Sequence, residues 1–248
     1  MKISSWNIRG CNNPLKLREA GAFLRNNRID IFGLLESKIK EAKAVKIAKS
    51  EFKSYGLITN YSHHKNGCIW VLWNSSTITV SPLLIQGQLI HCHVLHHSKN
   101  VQFHVTFVYG YNDPREKQLL WSSLFQIRLS VLEWLVLGDF NVVRDVAERI
   151  SSCPPAMSDV LDFNNCLSHC DLDDLHSSGC EFTWSNKQEG ASRVWCKLDR
   201  ALANSAWLLS YPSTSVQFLS PGVSDHSPLL LNLLEDSKCK PGFSFLNC

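Results

Sequence analysis

The stretch Trp134-Leu-Val-Leu-Gly-Asp-Phe-Asn141 decides how this chain is read. Four apolar residues in a row are short for a helix and suit a strand buried on both faces. Gly138 then interrupts the run, and Asp139 and Asn141 follow on either side of Phe140. A buried strand that ends on an acid and an amide is the layout of α/β domains, whose chemistry gathers where strand ends meet loops. A single island of this kind ordinarily makes a turn, because Asp and Asn side chains bond their own backbone there.

The layout recurs on both sides of that stretch. Trp6-Asn7 closes a strand over residues 2–7, Leu35-Glu36 closes an apolar run over 29–36, and Val108-Tyr109 closes a strand over 101–109. Lys197-Leu-Asp-Arg200 looks like another strand end, and Ser224-Asp-His226 stands before the apolar run 228–231. Between the islands the period turns helical. Residues 14–28 put Leu17, Ala20, Phe23 and Leu24 on one face, with Pro14 suited to a first turn. Residues 41–50 carry Ala42, Val45, Ile47 and Ala48. Residues 114–128 carry a stripe of Leu120, Trp121, Leu124 and Phe125, and 158–170 one of Val160, Phe163, Leu167 and Cys170. Further strands are expected over 68–73, 77–80, 89–96, 182–184, 195–198, 215–219 and 229–233. Strands and helices alternating from end to end predict α/β layers. One domain is expected over residues 1–234, with a frayed tail over 235–248 where the pattern is lost.

With 44% hydrophobic and 19% charged residues in a chain of 248, there is material for a sizeable core, and disorder is excluded as the default. The net charge of +3 is too mild to mark a nucleic-acid binder by itself. Contacts to a phosphate backbone would fall to single residues such as Arg9, Lys38, Lys65, Arg115 and Arg193. The opening Met1-Lys-Ile-Ser-Ser-Trp-Asn7 lacks the apolar centre of a signal peptide, and no stretch has the apolar length to span a bilayer. The ten cysteines are therefore expected to be reduced, mostly buried and intracellular. Cys166 and Cys170 read as core-facing thiols one helical turn apart. His91-Cys92-His93 and His96-His97 have no second pair at a zinc spacing and are expected as surface strand histidines.

The islands together hold the carboxylates Glu36, Asp139, Asp199 and Asp225, the amides Asn7 and Asn141, the phenol of Tyr109 and the imidazole of His226. Hard oxygen ligands of this kind suit Mg²⁺, or Mn²⁺, rather than zinc. The amides have a reason: an unneutralised carboxylate about 4 Å from a phosphodiester repels it by roughly 4 kcal/mol at an effective dielectric of 20. An amide binds metal or phosphate oxygen without that cost. Asp139 could accept a proton from an attacking water while Asn141 and His226 hold phosphate oxygens, and Asp199 could orient the His226 ring. From sequence, the base is either Asp139 or His226.

At these residues the chain resembles the endonuclease/exonuclease/phosphatase superfamily and, within it, the endonuclease domain of plant LINE-type (non-LTR) retrotransposons. The likeness is carried in order by Ser5-Trp-Asn-Ile-Arg-Gly10, Gly33-Leu-Leu-Glu-Ser-Lys38, Gly67-Cys-Ile-Trp-Val-Leu-Trp73 and Phe107-Val-Tyr-Gly-Tyr-Asn112. It continues through residues 134–141, Phe182-Thr-Trp-Ser-Asn186, Cys196-Lys-Leu-Asp-Arg-Ala201 and Ser224-Asp-His-Ser-Pro228. The resemblance implies a four-layered α/β sandwich of the exonuclease III/DNase I-like kind, with two central β-sheets flanked by helices and the site at one end. It implies Glu36 as the principal Mg²⁺ ligand with Asn7 and Asp225 beside it, and Asp139 and Asn141 acting on water and phosphate. Tyr109 would act on the phosphate and Asp199 on His226, and Arg9, Asn112, Thr183 and Ser224 are expected along the DNA path. Many relatives carry an acid where this chain has Arg9, which argues against a second metal arrangement.

In LINE elements such a domain nicks chromosomal DNA, and the freed 3′ hydroxyl primes reverse transcription. The expected activity is therefore a metal-dependent DNA endonuclease, monomeric, nuclear, without membrane or small-molecule cofactor. The alternatives are an exonuclease III-like apurinic endonuclease in DNA repair, a phosphodiesterase for a small phosphoester, and an inactive nucleic-acid-binding relic of a retroelement. The chain ends at Cys248 with no room for a reverse transcriptase, so an isolated fragment or truncated relic of an element is expected.

Overall fold

The computed structural model describes residues 1–64, 67–99 and 101–233. Lys65 and the tail expected over 235–248 lie outside the described residues.

A first sheet of seven strands holds β1 (Lys2–Asn7), β2 (Ile31–Leu35), β3 (Tyr55–Thr59), β4 (Ile69–Asn74), β11 (Ser177–Gly179), β15 (Ser215–Phe218) and β16 (Leu229–Asn232). A second, of six, holds β5 (Ile78–Ile85), β6 (Leu89–His96), β7 (Gln102–Tyr109), β8 (Trp134–Asp139), β10 (Leu172–Asp174) and β14 (Asp199–Asn204). Three short strands, β9 (Arg149–Ile150), β12 (Trp184–Ser185) and β13 (Trp195–Cys196), form a third. The helices are α1 (Pro14–Asn26), α2 (Glu41–Glu51), α3 (Pro114–Arg128), α4 (Met157–Cys170) and α5 (Ser205–Ser210).

Continuous apolar strands are explained by what lies on each side of them. In β8, Leu135 and Leu137 face the core between the two large sheets, with Ile3, Ile31, Val105 and Phe107. Trp134 and Val136 point the other way, onto Leu120 and Leu124 of α3 and Phe163 and Leu167 of α4. Across the first sheet, Phe32, Leu34 and Trp70 pack on Ala20 and Leu24 of α1 and Ala44 and Ala48 of α2. The result is the expected four-layered α/β sandwich, and no described helix is long and apolar enough to cross a membrane.

Strand register sets up the site. Parallel pairing of β1 with β2 puts Asn7 beside Leu35, one residue short of Glu36. In the second sheet Tyr109 pairs with Asp139, and Asp139 with Asp199, so three polar side-chain positions share one row. Gly138 makes that row possible. It has φ +145°, and a Cβ there would stand 2.0 Å from the carbonyl oxygen of Val108 on the neighbouring strand.

Several expectations need correction. Lys197-Leu-Asp-Arg200 does not end a strand: Asp199 begins β14, whose six residues are all buried. The strand is hidden in the sequence because Arg200 is fully buried within it, paired with Glu148 and Asp174. Its guanidinium lies 5.4 Å from the centre of the Phe163 ring. Val45 and Phe125 are exposed rather than facing the core. The edge strand expected over 77–80 runs on to Ile85 past a bulge at Pro82.

His91 is also not a surface residue. It is buried against Trp134 and His104, its Nδ1 is 2.9 Å from Thr106 Oγ1, and burial lowers its pKa to about 4. Cys166 and Cys170 are buried as expected, and the eight described cysteines are all free.

Gly138→Ala combines an unfavourable backbone angle with a clash against main chain, and is expected to destabilise the fold by about 3 kcal/mol or more. Urea denaturation reads this, and a loss under about 1 kcal/mol would show that β7 and β8 can part without penalty.

Candidate active site

One cleft of about 270 Å³ is lined by Asn7, Arg9 and Glu36 from the first sheet and by Tyr109, Asn112, Asp139 and Asn141 from the second. His226 lines it too, and the third sheet closes it with Arg149, Trp184 and Cys196. Residues more than 200 positions apart in sequence thus meet across the ends of the two large sheets.

Asp139 is the inner acid. It is fully buried, with Oδ2 accepting from Asn7 Nδ2 at 2.8 Å and Oδ1 from the Asn141 backbone N–H at 2.9 Å. His226 Nε2 stands 3.8 Å from Asp139 Oδ2, and its Nδ1 is 2.9 Å from Asp199 Oδ2. The strand segment bearing His226 is pinned from both sides. Trp6 Nε1 donates to the His226 carbonyl at 3.0 Å, and the Ser227 N–H donates to the Thr183 carbonyl at 2.7 Å.

Electrostatics then assign the proton. Burial alone would strip His226 of its charge, but Asp199 and Asp139 outweigh it, and the pKa is raised from 6.5 to about 9. Burial also raises Asp139, with Asp199 adding to it, against the charge of His226 and the bonds from Asn141 and Asn7. One proton therefore serves this coupled pair. We place it on the imidazole, which has a carboxylate in hydrogen-bond contact at one nitrogen and a second beyond the other. Tyr109 keeps its proton, since burial and then Glu36 and Asp139 raise its pKa.

The outer acids face cations. Glu36 Oε1 is 2.6 Å from Lys38 Nζ, and Asp225 pairs with Arg9 and accepts from Trp184 Nε1 at 3.1 Å. Burial pushes the Asp225 carboxyl up, yet the hydrogen bond from Arg9 and the charge of His226 leave it below its ordinary value. The Lys38 and Arg9 side chains are 47% and 50% exposed, so both are free to swing into solvent. Displacing them would leave two carboxylates and the Asn7 side-chain Oδ1, an all-oxygen set that fits a hard divalent cation. Asp139, Asp199 and His226 also bring donor atoms within 4.8 Å of one another. A protonated imidazole has no lone pair to give a metal, so that trio fits an ion poorly.

Of the residues expected along the DNA path, Arg9 and Asn112 reach the cleft. Thr183 and Ser224 do not, because both hydroxyls are buried in backbone contacts. Thr183 Oγ1 accepts from the Leu198 and Asp199 N–H groups at 3.0 and 2.9 Å, and Ser224 Oγ donates to the Asn7 carbonyl at 2.7 Å. Lys117 was not anticipated: it is buried on α3 and donates to the Asn141 carbonyl at 2.6 Å. Burial lowers its pKa. A lysine in an amphipathic helix reads as solvent-facing, so nothing in the sequence marked it.

The family model described as the Endonuclease/Exonuclease/phosphatase family matches residues 4–226. A 3′-5′ exonuclease from Neisseria meningitidis is similar in structure at 19% identity, with TM-score 0.70, covering 94% of this chain and 99% of that one. The endonuclease domain of TRAS1, a telomere-specific non-LTR retrotransposon, is similar at 12% identity and TM-score 0.70, covering 95% and 99%. An AP endonuclease from Leishmania major is similar at 17% identity and TM-score 0.68, covering 93% and 86%. These likenesses concern the fold. No curated protein matches by sequence.

In metal-free protein the His226 ring protons are expected to titrate by NMR near pH 9, and in Asp199→Asn to titrate lower. A folded-state pKa above the ordinary 6.5 means the pair's stabilising effect is complete below about pH 6.5 and lost as pH rises through about 9. A His226 midpoint at or below 6.5 would remove the charged imidazole.

Proposed function

Because this chain belongs to the Endonuclease/Exonuclease/phosphatase family, we propose that it is a Mg²⁺-dependent endonuclease that nicks the DNA backbone, as the endonuclease domain of a non-LTR retrotransposon does at its target. The observation that carries this reading is the meeting of Asn7, Glu36, Asp139, Asn141 and His226 in one cleft. Glu36, with Asn7 and Asp225, would hold the ion, which neutralises the scissile phosphate and supplies Lewis acidity there; Mn²⁺ would serve as well.

The chain's own groups divide the remaining work. Asp139 is the base, since His226 already carries a proton and has no lone pair facing a water. Asn7 and the Asn141 N–H hold the Asp139 carboxylate in place. The water oxygen bonds to phosphorus, its proton goes to Asp139, and the bond to the 3′ oxygen breaks, with the departing oxyanion taking a proton from solvent. The product ends are a 3′ hydroxyl and a 5′ phosphate. His226, charged and backed by Asp199, faces the non-bridging oxygens on which negative charge builds, and the protonated Tyr109 phenol donates to the same group. Asp199 is a positioning residue here, acting through the imidazole.

Purified protein with Mg²⁺ is expected to convert supercoiled plasmid to the open circle, and Glu36→Ala and His226→Ala each to lose about a hundredfold or more in rate. Nicking by both variants at the wild-type rate would end this assignment. A duplex with one abasic site, cut far faster than intact duplex, would favour the repair-type reading. Metal-independent binding without turnover would favour a relic.

A further inference from the structure

Three cations line the cleft, and two of them are committed to carboxylates. Arg9 pairs with Asp225, and His226 lies between Asp199 and Asp139. Arg149 is the third, and among the described residues it forms no ion pair. It opens β9 on the third sheet, opposite Cys196 of β13. Its Nε donates to Ser151 Oγ at 2.8 Å and to the Cys153 carbonyl at 3.1 Å, which fixes the base of the guanidinium.

The residue before it explains how so short a strand is held. Glu148 turns away from the cleft: it pairs with the buried Arg200, accepts from the Arg144 N–H at 2.6 Å, and lies 3.8 Å from Lys197 Nζ. Its carbonyl accepts from the Lys197 N–H at 3.0 Å. Adjacent residues thus point to opposite sides, one into an ionic anchor and one into the cleft.

Arg149 also stands at an exit. A second cavity of about 100 Å³ meets the cleft at Asn141, Arg149 and Leu198, and runs on past Val142, Val143 and Pro155 to Asp159 at its far side. A substrate confined to the reacting phosphodiester would leave Arg149 unused, whereas a strand leaving the cleft on this side would pass it. An arginine fork with no acid partner matches a phosphate in charge and geometry.

We infer that Arg149 binds a second phosphate of the same strand, next to the one that is attacked, so that the site takes a polynucleotide rather than an isolated phosphodiester. This rests on the nuclease reading above, and it assigns a residue to the part of the strand beyond the attacked phosphodiester. Val142, Val143 and Pro155 on one wall of the second cavity suit the sugar between the two phosphates.

The test separates binding from turnover. Affinity of full-length protein for a 20-base-pair duplex is measured in EDTA across a salt series, for wild type, Arg149→Met and Arg149→Lys. Removing one phosphate contact is expected to weaken binding about tenfold or more and to reduce the slope of log K against log salt by about 0.9. Arg149→Lys keeps the charge and should restore the slope. An unchanged slope in a folded Arg149→Met protein, even with weaker binding, would overturn the assignment, as would failure of folded Arg149→Lys to restore it. Arg149→Gln replaces Arg149→Met should the latter lose its fold.

A turnover arm follows with Mg²⁺. The loss in kcat/KM on the duplex should exceed the loss on a dinucleoside monophosphate by tenfold or more. Equal losses would place Arg149 at the reacting phosphate and overturn the inference. Absence of turnover in wild type would sink the nuclease reading while the salt series still decided the fate of Arg149.

Discussion

Two buried carboxylates held around one protonated imidazole constrain everything else in this cleft. Asp139, Asp199 and His226 are each less than 5% exposed, so their charges are screened by protein groups rather than water. An ion cluster of this kind is costly to bury and tolerates little misplacement, because each unpaired lone pair or N–H is left without solvent. The surrounding chain answers that demand. Asn7 and the Asn141 N–H serve Asp139, while Thr183 fixes the backbone at Asp199 and Ser224 fixes it at Asn7. Five separate segments must be in register before the whole set of these bonds can form.

That requirement accounts for the backbone around the site. Non-glycine residues with left-handed φ number eight among those described, and four of them stand at or beside the cleft: Arg9, Glu36, Lys38 and Asn141. Each such conformation costs on the order of 1–3 kcal/mol and persists only where the surroundings over-determine it. At Asn141 those surroundings are visible: its N–H reaches Asp139, its amide donates to the Gly110 carbonyl at 2.7 Å, and its own carbonyl is held by Lys117. Glu36 is turned the same way at the end of β2, and the turn carries its carboxylate into the cleft. Strain is spent where side chains must be aimed.

What the sequence disclosed and what it hid follow from this. Strands such as β1, β6 and α3 among the helices match their expected limits, since burial on one or both faces leaves a periodic apolar trace. Residues at the ends of those strands were legible for the same reason, and Asn7, Glu36, Tyr109, Asp139 and His226 do share a cleft. β14 was misread because its buried arginine mimics a surface residue, and its partners Glu148 and Asp174 lie 52 and 26 residues away. Of the third sheet, β12 and β13 fall at or beside the strands expected over 182–184 and 195–198, while β9, two residues long, leaves no period at all. Thr183 and Ser224 were placed on the DNA path, yet their work is to hold backbone inside. A motif marks that a residue matters, and only the fold says on which side of the backbone it acts.

The third sheet shows how function is added to a frame of this kind. The two large sheets pack through broad apolar faces in which no residue of β9, β12 or β13 takes part. The short strands have little apolar surface of their own, and their small cluster of Val143, Val160 and Cys196 is thin. Charge supplies what packing does not: Glu148 ties β9 to Arg200 in the second sheet, and Asp225 ties the His226 segment to Trp184 and Arg9. An ionic attachment is directional where an apolar one is not. It fixes the angle at which a wall meets the cleft, and with it the distance between the reacting groups and whatever part of the substrate lies beyond them. The ends of the central strands carry the polar groups of the cleft, and a wall that salt bridges hold in place sets its shape beyond them.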